Sequence, residues 1–332
     1  MVREAWGTIK IEVFTLAHYH KQPWKREKFM KEVPHEVLDP ATHIGLVTLA
    51  VSSLARSLAY YHTELGFTIT EHHEGTALLG TTTGLPLLVL VEQPNAQPQP
   101  AQTTGLYHFA ILLPTRKDLG RFLSHLKARH IPLDGYADHL VSEALYLSDP
   151  DGNGIEVYHD RPRSTWTYHN GRVAMVSDPI DLEALMAEGR QDPSAWTGLP
   201  AHTTLGHIHL RVAALPQAEQ FYQRILGFTV MQQMPGALFV SAGGYHHHIG
   251  LNTWQSRNAP QPPQNAVGLR FFTIQLPTAS ELAKVVARLH AAEWPFEQQE
   301  QGVILRDPWS NKLLLTIHEQ ASLETIQSSI AV

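Results

Sequence analysis

The chain has 332 residues, with 31 Asp and Glu against 25 Lys and Arg and a net charge of −6, so there is no cationic surplus to hold a phosphate backbone and nucleic acid is excluded as a partner class. It has no cysteine, which removes disulfides, thiolate nucleophiles and cysteine-held metals; any metal must bind through His, Asp or Glu, and 21 histidines are available for it. No apolar run reaches the roughly 20 residues that cross a bilayer, and the charged start MVREAWGTIKIEVF lacks the apolar core of a signal peptide, so a cytoplasmic protein with no membrane partner is expected.

Residues 1–40 match no other part of the chain and are read as an N-terminal extension. From residue 41 the pattern repeats. LAVSSLARSLAYYHTELGF at 49–67 returns 161 positions later as LRVAALPQAEQFYQRILGF at 210–228, and GLYHFAILLPT at 105–115 returns 163 positions later as GLRFFTIQLPT at 268–278. Each copy predicts a strand, then a helix with apolar residues at helical spacing, then about three strands separated by Gly-rich turns. The Leu-Gly-Phe ending supplies a helix C-terminal glycine in copies one and three. The Thr at the strand exit supplies an N-cap in copies two and four. An Asp-Pro turn opens the last strand of copies two and four, in SDPDGNGIEVY at 148–158 and RDPWSNKLLLTI at 306–317.

The sequence thus divides into the extension 1–40, βαβββ modules one and two at 41–162, a linker at 163–200, modules three and four at 201–320, and a C-terminal tail at 321–332. A short helix is predicted at DLEALMAEG within the linker, and the Pro- and Gln-rich stretches 92–104 and 256–265 read as extended surface connections.

Four βαβββ modules with the Leu-Gly-Phe helix ending and the strand DPDGNGIEVY resemble the vicinal oxygen chelate superfamily, which includes glyoxalase I and the type I extradiol dioxygenases. The runs SEALYLSDPDGNGIEVYHDRPRSTW and SAGGYHHHIGLN resemble the catechol 2,3-dioxygenase branch. The resemblance implies an α+β fold of four βαβββ modules forming two open, curved-sheet halves, with the first and last strand of each module lining the concave face.

Reading equivalent inward positions off the repeats places Leu46, His108, His207 and Phe271 on the first strands. On the last strands it places Leu88, Glu156, His248 and Leu314. Groups able to hold a metal are therefore confined to modules two and three. Period-two alternation sets Glu156 opposite Ile155 and Val157, and a carboxylate buried among such neighbours needs a partner. Two imidazoles and a carboxylate form the facial triad of non-heme Fe(II) enzymes, which requires modules two and three to face each other.

The resemblance then implies His108, Glu156 and His207 as ligands of Fe(II), or of Mn(II), which the same donors suit. It also implies His248 as the acid–base histidine, Tyr146 beside the substrate, and His139 on bound catecholate. His246 and His209 are candidate substrate contacts; Tyr158 and His159 have weaker support, and Arg161 and Arg163 receive no role. The activity implied is cleavage of catechol or a substituted catechol beside its hydroxyls, with dioxygen, to a 2-hydroxymuconic semialdehyde by a homo-oligomer. The alternatives are a metal-dependent glyoxalase-like isomerase or lyase and a non-catalytic binding protein of the bleomycin-resistance type.

Overall fold

The computed structural model describes residues 36–192, 194, 196–318 and 322–326. The N-terminal extension, apart from its last five residues, and most of the C-terminal tail lie outside the described residues.

Module one is β1 (His43–Val51), α1 (Leu54–Leu58), β2 (Thr68–His73), β3 (Thr76–Gly80) and β4 (Pro86–Glu92). Ser53 caps α1 by accepting from the Arg56 amide, and the helix runs on as a π-helical stretch over Ala59–Glu64. It stops at Gly66, whose φ of 89° is a left-handed conformation that costs other residues about 1 kcal/mol or more. Module two is β5 (Gly105–Leu112), α2 (Arg116–Ala128), β6 (Gly135–Asp138), β7 (Ser142–Ser148) and β8 (Gly154–Asp160), with α2 capped by Thr115 on the Asp118 amide.

The linker holds a small hairpin, β9 (Tyr168–His169) and β10 (Arg172–Val173), and α3 (Leu182–Gly189), which packs on α2 through buried Leu185 and Met186. Module three is β11 (Thr204–Arg211), α4 (Leu215–Glu219) continuing as a π-helical stretch over Gln220–Ile225, β12 (Thr229–Met234), β13 (Ala237–Ser241) and β14 (Ile249–Asn252). Module four is β15 (Gly268–Gln275), α5 (Ala279–Ala291), β16 (Phe296–Gln299), β17 (Gly302–Arg306) and β18 (Lys312–Thr316), with α5 capped by Thr278 on the Glu281 amide.

Pairing of the first strands decides the architecture. β1 runs antiparallel to β15, giving one eight-stranded sheet in the order β16-β17-β18-β15-β1-β4-β3-β2, built from modules four and one. β5 runs antiparallel to β11, giving a second sheet in the order β12-β13-β14-β11-β5-β8-β7-β6, built from modules three and two. Each sheet therefore takes one module from either half of the chain. The two Pro- and Gln-rich connections meet as well, where the Gln97 amide donates to the Asn265 carbonyl at 2.9 Å and Gln97 bridges Ala266.

Buried hydroxyl–carboxylate bonds tie the sheets together in the other direction. Tyr61, in the helical segment of module one, donates to Asp149 Oδ2 in the Asp-Pro turn of module two at 2.9 Å. The repeat equivalent is Tyr222 of module three on Asp307 Oδ2 of module four, at 3.0 Å. Both acids also accept from the side chain and backbone of an asparagine four residues on, Asn153 or Asn311.

The two concave faces are filled differently. In the sheet of modules one and four, Leu46, Leu78, Val89, Phe271, Ile304 and Leu314 form an apolar cluster, closed by Leu323 and Ile326 from beyond the last strand. The Leu323 amide is held by Glu71 Oε2 at 3.0 Å. Expectation placed Leu88 in this lining, but Thr48 pairs with Val89, so Val89 faces the cluster and Leu88 packs with the helices in the main core. In the sheet of modules two and three the same face is polar.

Candidate active site

Three neighbouring strands present the polar face. His108 comes from β5, Glu156 from β8 and His207 from β11, and their exposures are 6%, 3% and 1%. Ile155 and Val157 turn away from Glu156 into the main core, as the alternation of a strand requires. Nε2 of His108 lies 3.0 Å from Glu156 Oε2 and Nε2 of His207 lies 3.2 Å from the same oxygen. One ligand atom from each residue falls within 4.8 Å of the others.

These side chains fit a divalent metal. His108 Nε2 is buried without a hydrogen bond of acceptable geometry although it lies so close to Oε2, whereas His207 Nε2 makes one to the same oxygen at 3.2 Å. An imidazole nitrogen aimed at a buried carboxylate but out of line for donation is arranged to share a third partner with it. Protonation agrees. Burial, opposed only in part by Glu156, holds His207 down at about 4, so its ring is neutral with a lone pair to give. Burial would raise Glu156, but His207 and His108 outweigh it and hold the carboxyl well below the usual range.

Tyr146 pairs with Glu156 across β7 and β8, and its ring stands 5.7 Å from that of His108. Burial first, then Glu156, pushes its hydroxyl well above the ordinary phenol range, so it stays a donor. His139 faces it, with Nε2 2.7 Å from Tyr146 Oη and Nδ1 2.5 Å from the Val176 carbonyl. A carbonyl only accepts, so His139 carries its proton on Nδ1 and takes the Tyr146 hydroxyl on Nε2.

The triple histidine run departs from the expected register. It lies in the turn before β14, so the strand begins two residues later than the repeat count implied. Ala110 pairs with Glu156 and His209 pairs with Gly250, so the Glu156-equivalent position in module three is Gly250, not His248. A Cβ at Gly250 would lie 2.8 Å from Cγ of His209, so the ring of His209 occupies the space a side chain would need. The His248 ring accepts the Ala242 amide on Nδ1 at 3.1 Å and rests 4.9 Å from the Tyr245 ring. Burial, with His246 adding, lowers it to about 3. It is His247 that packs against His207, ring centroids 4.1 Å apart and planes tilted by 46°.

His246 was expected to touch substrate, but it is fully buried with both nitrogens engaged, by Asp160 and by His247. His209 receives the Asn252 amide on Nε2 at 3.1 Å, and its ring packs 4.9 Å from His108. Tyr107 and Trp254, 38% and 53% exposed, lean on His209 from the solvent side. Tyr158 is fully buried, packs 5.0 Å from His207 and shares a 2.6 Å hydroxyl contact with Tyr245. The Arg163 guanidinium lies over the rings of Trp166 and Tyr245, 5.5 Å from each. Arg161 pairs with Asp138 at 2.6 Å, and His159 lies apart, 3.4 Å from the Leu113 carbonyl. The sequence could not single out His247, because three consecutive histidines outside a strand give no alternation to read.

Paired βαβββ modules with two histidines and a glutamate converging on one buried point are the features to set beside known proteins. The chain belongs to the Glyoxalase/Bleomycin resistance protein/Dioxygenase superfamily, matching it over residues 43–157 and 204–312. It is 48% identical over 273 residues to the Catechol-2,3-dioxygenase of Bacillus subtilis (strain 168), a match covering 81% of this chain and 95% of that one. A shorter match, 29% identical over 131 residues, links it to Biphenyl-2,3-diol 1,2-dioxygenase 2 of Rhodococcus globerulus and covers 37% of this chain and 63% of that one. The fold is shared with glyoxalase I of Zea mays, with a TM-score of 0.51 at 13% identity over 87% of this chain and 95% of that one. No helix among the described residues is long and apolar enough to cross a membrane.

Proposed function

We propose that the protein is an Fe(II)-dependent extradiol dioxygenase that opens catechol or a substituted catechol beside its hydroxyls, giving a 2-hydroxymuconic semialdehyde. The observation that carries this reading is the convergence of His108, His207 and Glu156 on one buried point, joined to the 48% identity with a chain named for this activity. Two imidazoles and one carboxylate suit Fe(II) and also Mn(II), and leave about three coordination positions for substrate and dioxygen. When bound, the metal supplies Lewis acidity toward both catechol oxygens.

The chain's own groups do the rest. Glu156 offsets part of the metal charge and leaves a site suited to an anionic, two-oxygen ligand. His247, whose ring packs against that of His207, takes the acid–base role that the resemblance assigned to His248, since His248 is turned onto the Ala242 amide. It accepts a catechol hydroxyl proton and returns a proton during ring opening. Tyr146 stands beside the substrate with its one hydroxyl proton given to His139 Nε2, so its oxygen faces the site as an acceptor.

The glyoxalase-like reading asks for a further carboxylate, and the position where module three would supply one is Gly250. A bleomycin-resistance type of binder has no use for three convergent ligands. The resemblance further supports a cytoplasmic homo-oligomer. The test is oxygen uptake after anaerobic loading with Fe(II), using catechol and methylcatechols while visible absorbance is followed. One dioxygen consumed per catechol with a yellow product is expected; tight stoichiometric iron without uptake rejects ring cleavage of these diols, and no bound metal rejects the site.

A further inference from the structure

Behind His247 runs a chain of two more side chains that ends at the protein surface. Nδ1 of His247 lies 2.7 Å from Nδ1 of His246, and Nε2 of His246 lies 2.9 Å from Asp160 Oδ1. Asp160 closes β8, four residues beyond Glu156, and its side chain is 22% exposed. The ring of His246 is clamped by Tyr245 at 4.1 Å, Trp166 at 5.4 Å and Tyr158 at 6.1 Å, so the ring plane is fixed by packing.

Each contact dictates the next. A carboxylate only accepts, so His246 donates from Nε2. In the neutral form of His246 that leaves Nδ1 bare, and Nδ1 then accepts from His247 at 2.7 Å. His247 must therefore carry its proton on Nδ1, and its Nε2 keeps the lone pair. The adjacent His248 is held in the opposite form, because the Ala242 amide occupies its Nδ1 and leaves the proton on Nε2. Of the two neighbours, the one whose ring packs against His207, centroids 4.1 Å apart, is the one presenting a bare Nε2.

We propose that Asp160 and His246 are positioning residues that lock the proton of His247 on Nδ1 and so keep Nε2 available as the base. This rests on the dioxygenase reading for its catalytic consequence and on hydrogen-bond geometry alone for the tautomer. The logic is that of an Asp orienting a catalytic imidazole, where replacing the carboxylate by an amide leaves the fold intact and spoils the tautomer.

The experiment compares wild type with Asp160→Asn and Asp160→Glu as full-length, histidine-¹⁵N-labelled protein without metal, using long-range ¹H–¹⁵N correlation to read which ring nitrogen is protonated. His246→Gln and His247→Gln identify the two spin systems. The His247 signals should show the Nδ1–H form in wild type, shift toward Nε2–H in D160N, and return in D160E. With Fe(II) loaded, D160N should lose about 10- to 100-fold in kcat with KM for catechol changed by less than about threefold, and D160E should recover most of the loss. An unchanged His247 tautomer in D160N overturns the proposal, as does an unchanged kcat; so does a kcat loss accompanied by equal loss of bound metal, which a merely structural role would give. A wild type that binds metal but consumes no oxygen rejects the dioxygenase reading instead, and the ring-nitrogen spectra then decide the tautomer lock independently.

Discussion

Replacing Gly206 by alanine tests how tightly the wall behind the site is packed. Gly206 precedes His207 on β11, and a Cβ there would overlap the hydroxyl of Tyr158 and lie 2.7 Å from its Cζ. Tyr158 cannot swing into solvent, because it is fully buried between His207 and Tyr245. Overpacking of this kind costs about 1–3 kcal/mol, and breaking the Tyr158–Tyr245 hydroxyl contact adds about 1 kcal/mol, for a total of about 2–4 kcal/mol. At about 2 °C per kcal/mol for a chain of this size, calorimetry should show a melting temperature about 4–8 °C lower. The double variant G206A/Y158F removes the oxygen from the overlap but keeps Cζ. It should therefore be about 1–2 kcal/mol more stable than the sum of the single variants predicts. Additivity within about 0.5 kcal/mol would refute the packing argument, since the alanine methyl would then not be meeting that hydroxyl.

Glu156→Ala should abolish stoichiometric iron binding, measured by metal analysis after desalting, because the proposed triad then keeps no anionic donor. Burial pushes the Asp307 carboxyl up to about 6, above its unfolded value, so folding binds a proton near pH 5. The stability it contributes is full below about pH 4 and is lost as pH rises through 6, by about 3 kcal/mol. Tyr222→Phe removes a donor to that carboxylate and should cost more at pH 7, about 2 kcal/mol, than at pH 4, read from urea unfolding at both pH values; equal costs would argue against ionised Asp307 in the fold. Ile326→Ala, deleting a fully buried side chain from the apolar cluster, should destabilise by about 2–4 kcal/mol in the same assay while leaving the amount of bound iron unchanged.

The repeats were legible because each module carries its own punctuation. Thr115 and Thr278 cap their helices, and the glycines of Leu-Gly-Phe at 66 and 227 adopt the left-handed turn. The positions of His108, Glu156 and His207 were legible because the Asp-Pro turn and the first-strand repeat fix the register of β5, β8 and β11. The same counting failed at Leu88 and His248, where no such anchor exists and the strand start depends on how the preceding turn folds. Side-chain direction in that turn is a tertiary outcome. The Ala242 amide captures one ring and Asp160, from another module, reaches the next but one. Nor could the sequence reveal that residues near 323 would seal the apolar sheet, since LETI has no repeat partner.

The alternation of links around the four modules, sheet to sheet and tyrosine to aspartate, has a temporal consequence. During synthesis the stretch 41–162 emerges first and brings His108 and Glu156, yet both of its first strands, β1 and β5, await partners from beyond residue 200. His207, the third member of the proposed triad, arrives with β11, the strand that covers the open edge of β5. Completion of the proposed triad and burial of that edge thus become one event, and a ribosome stalled in the linker would hold a nascent chain that can complete neither.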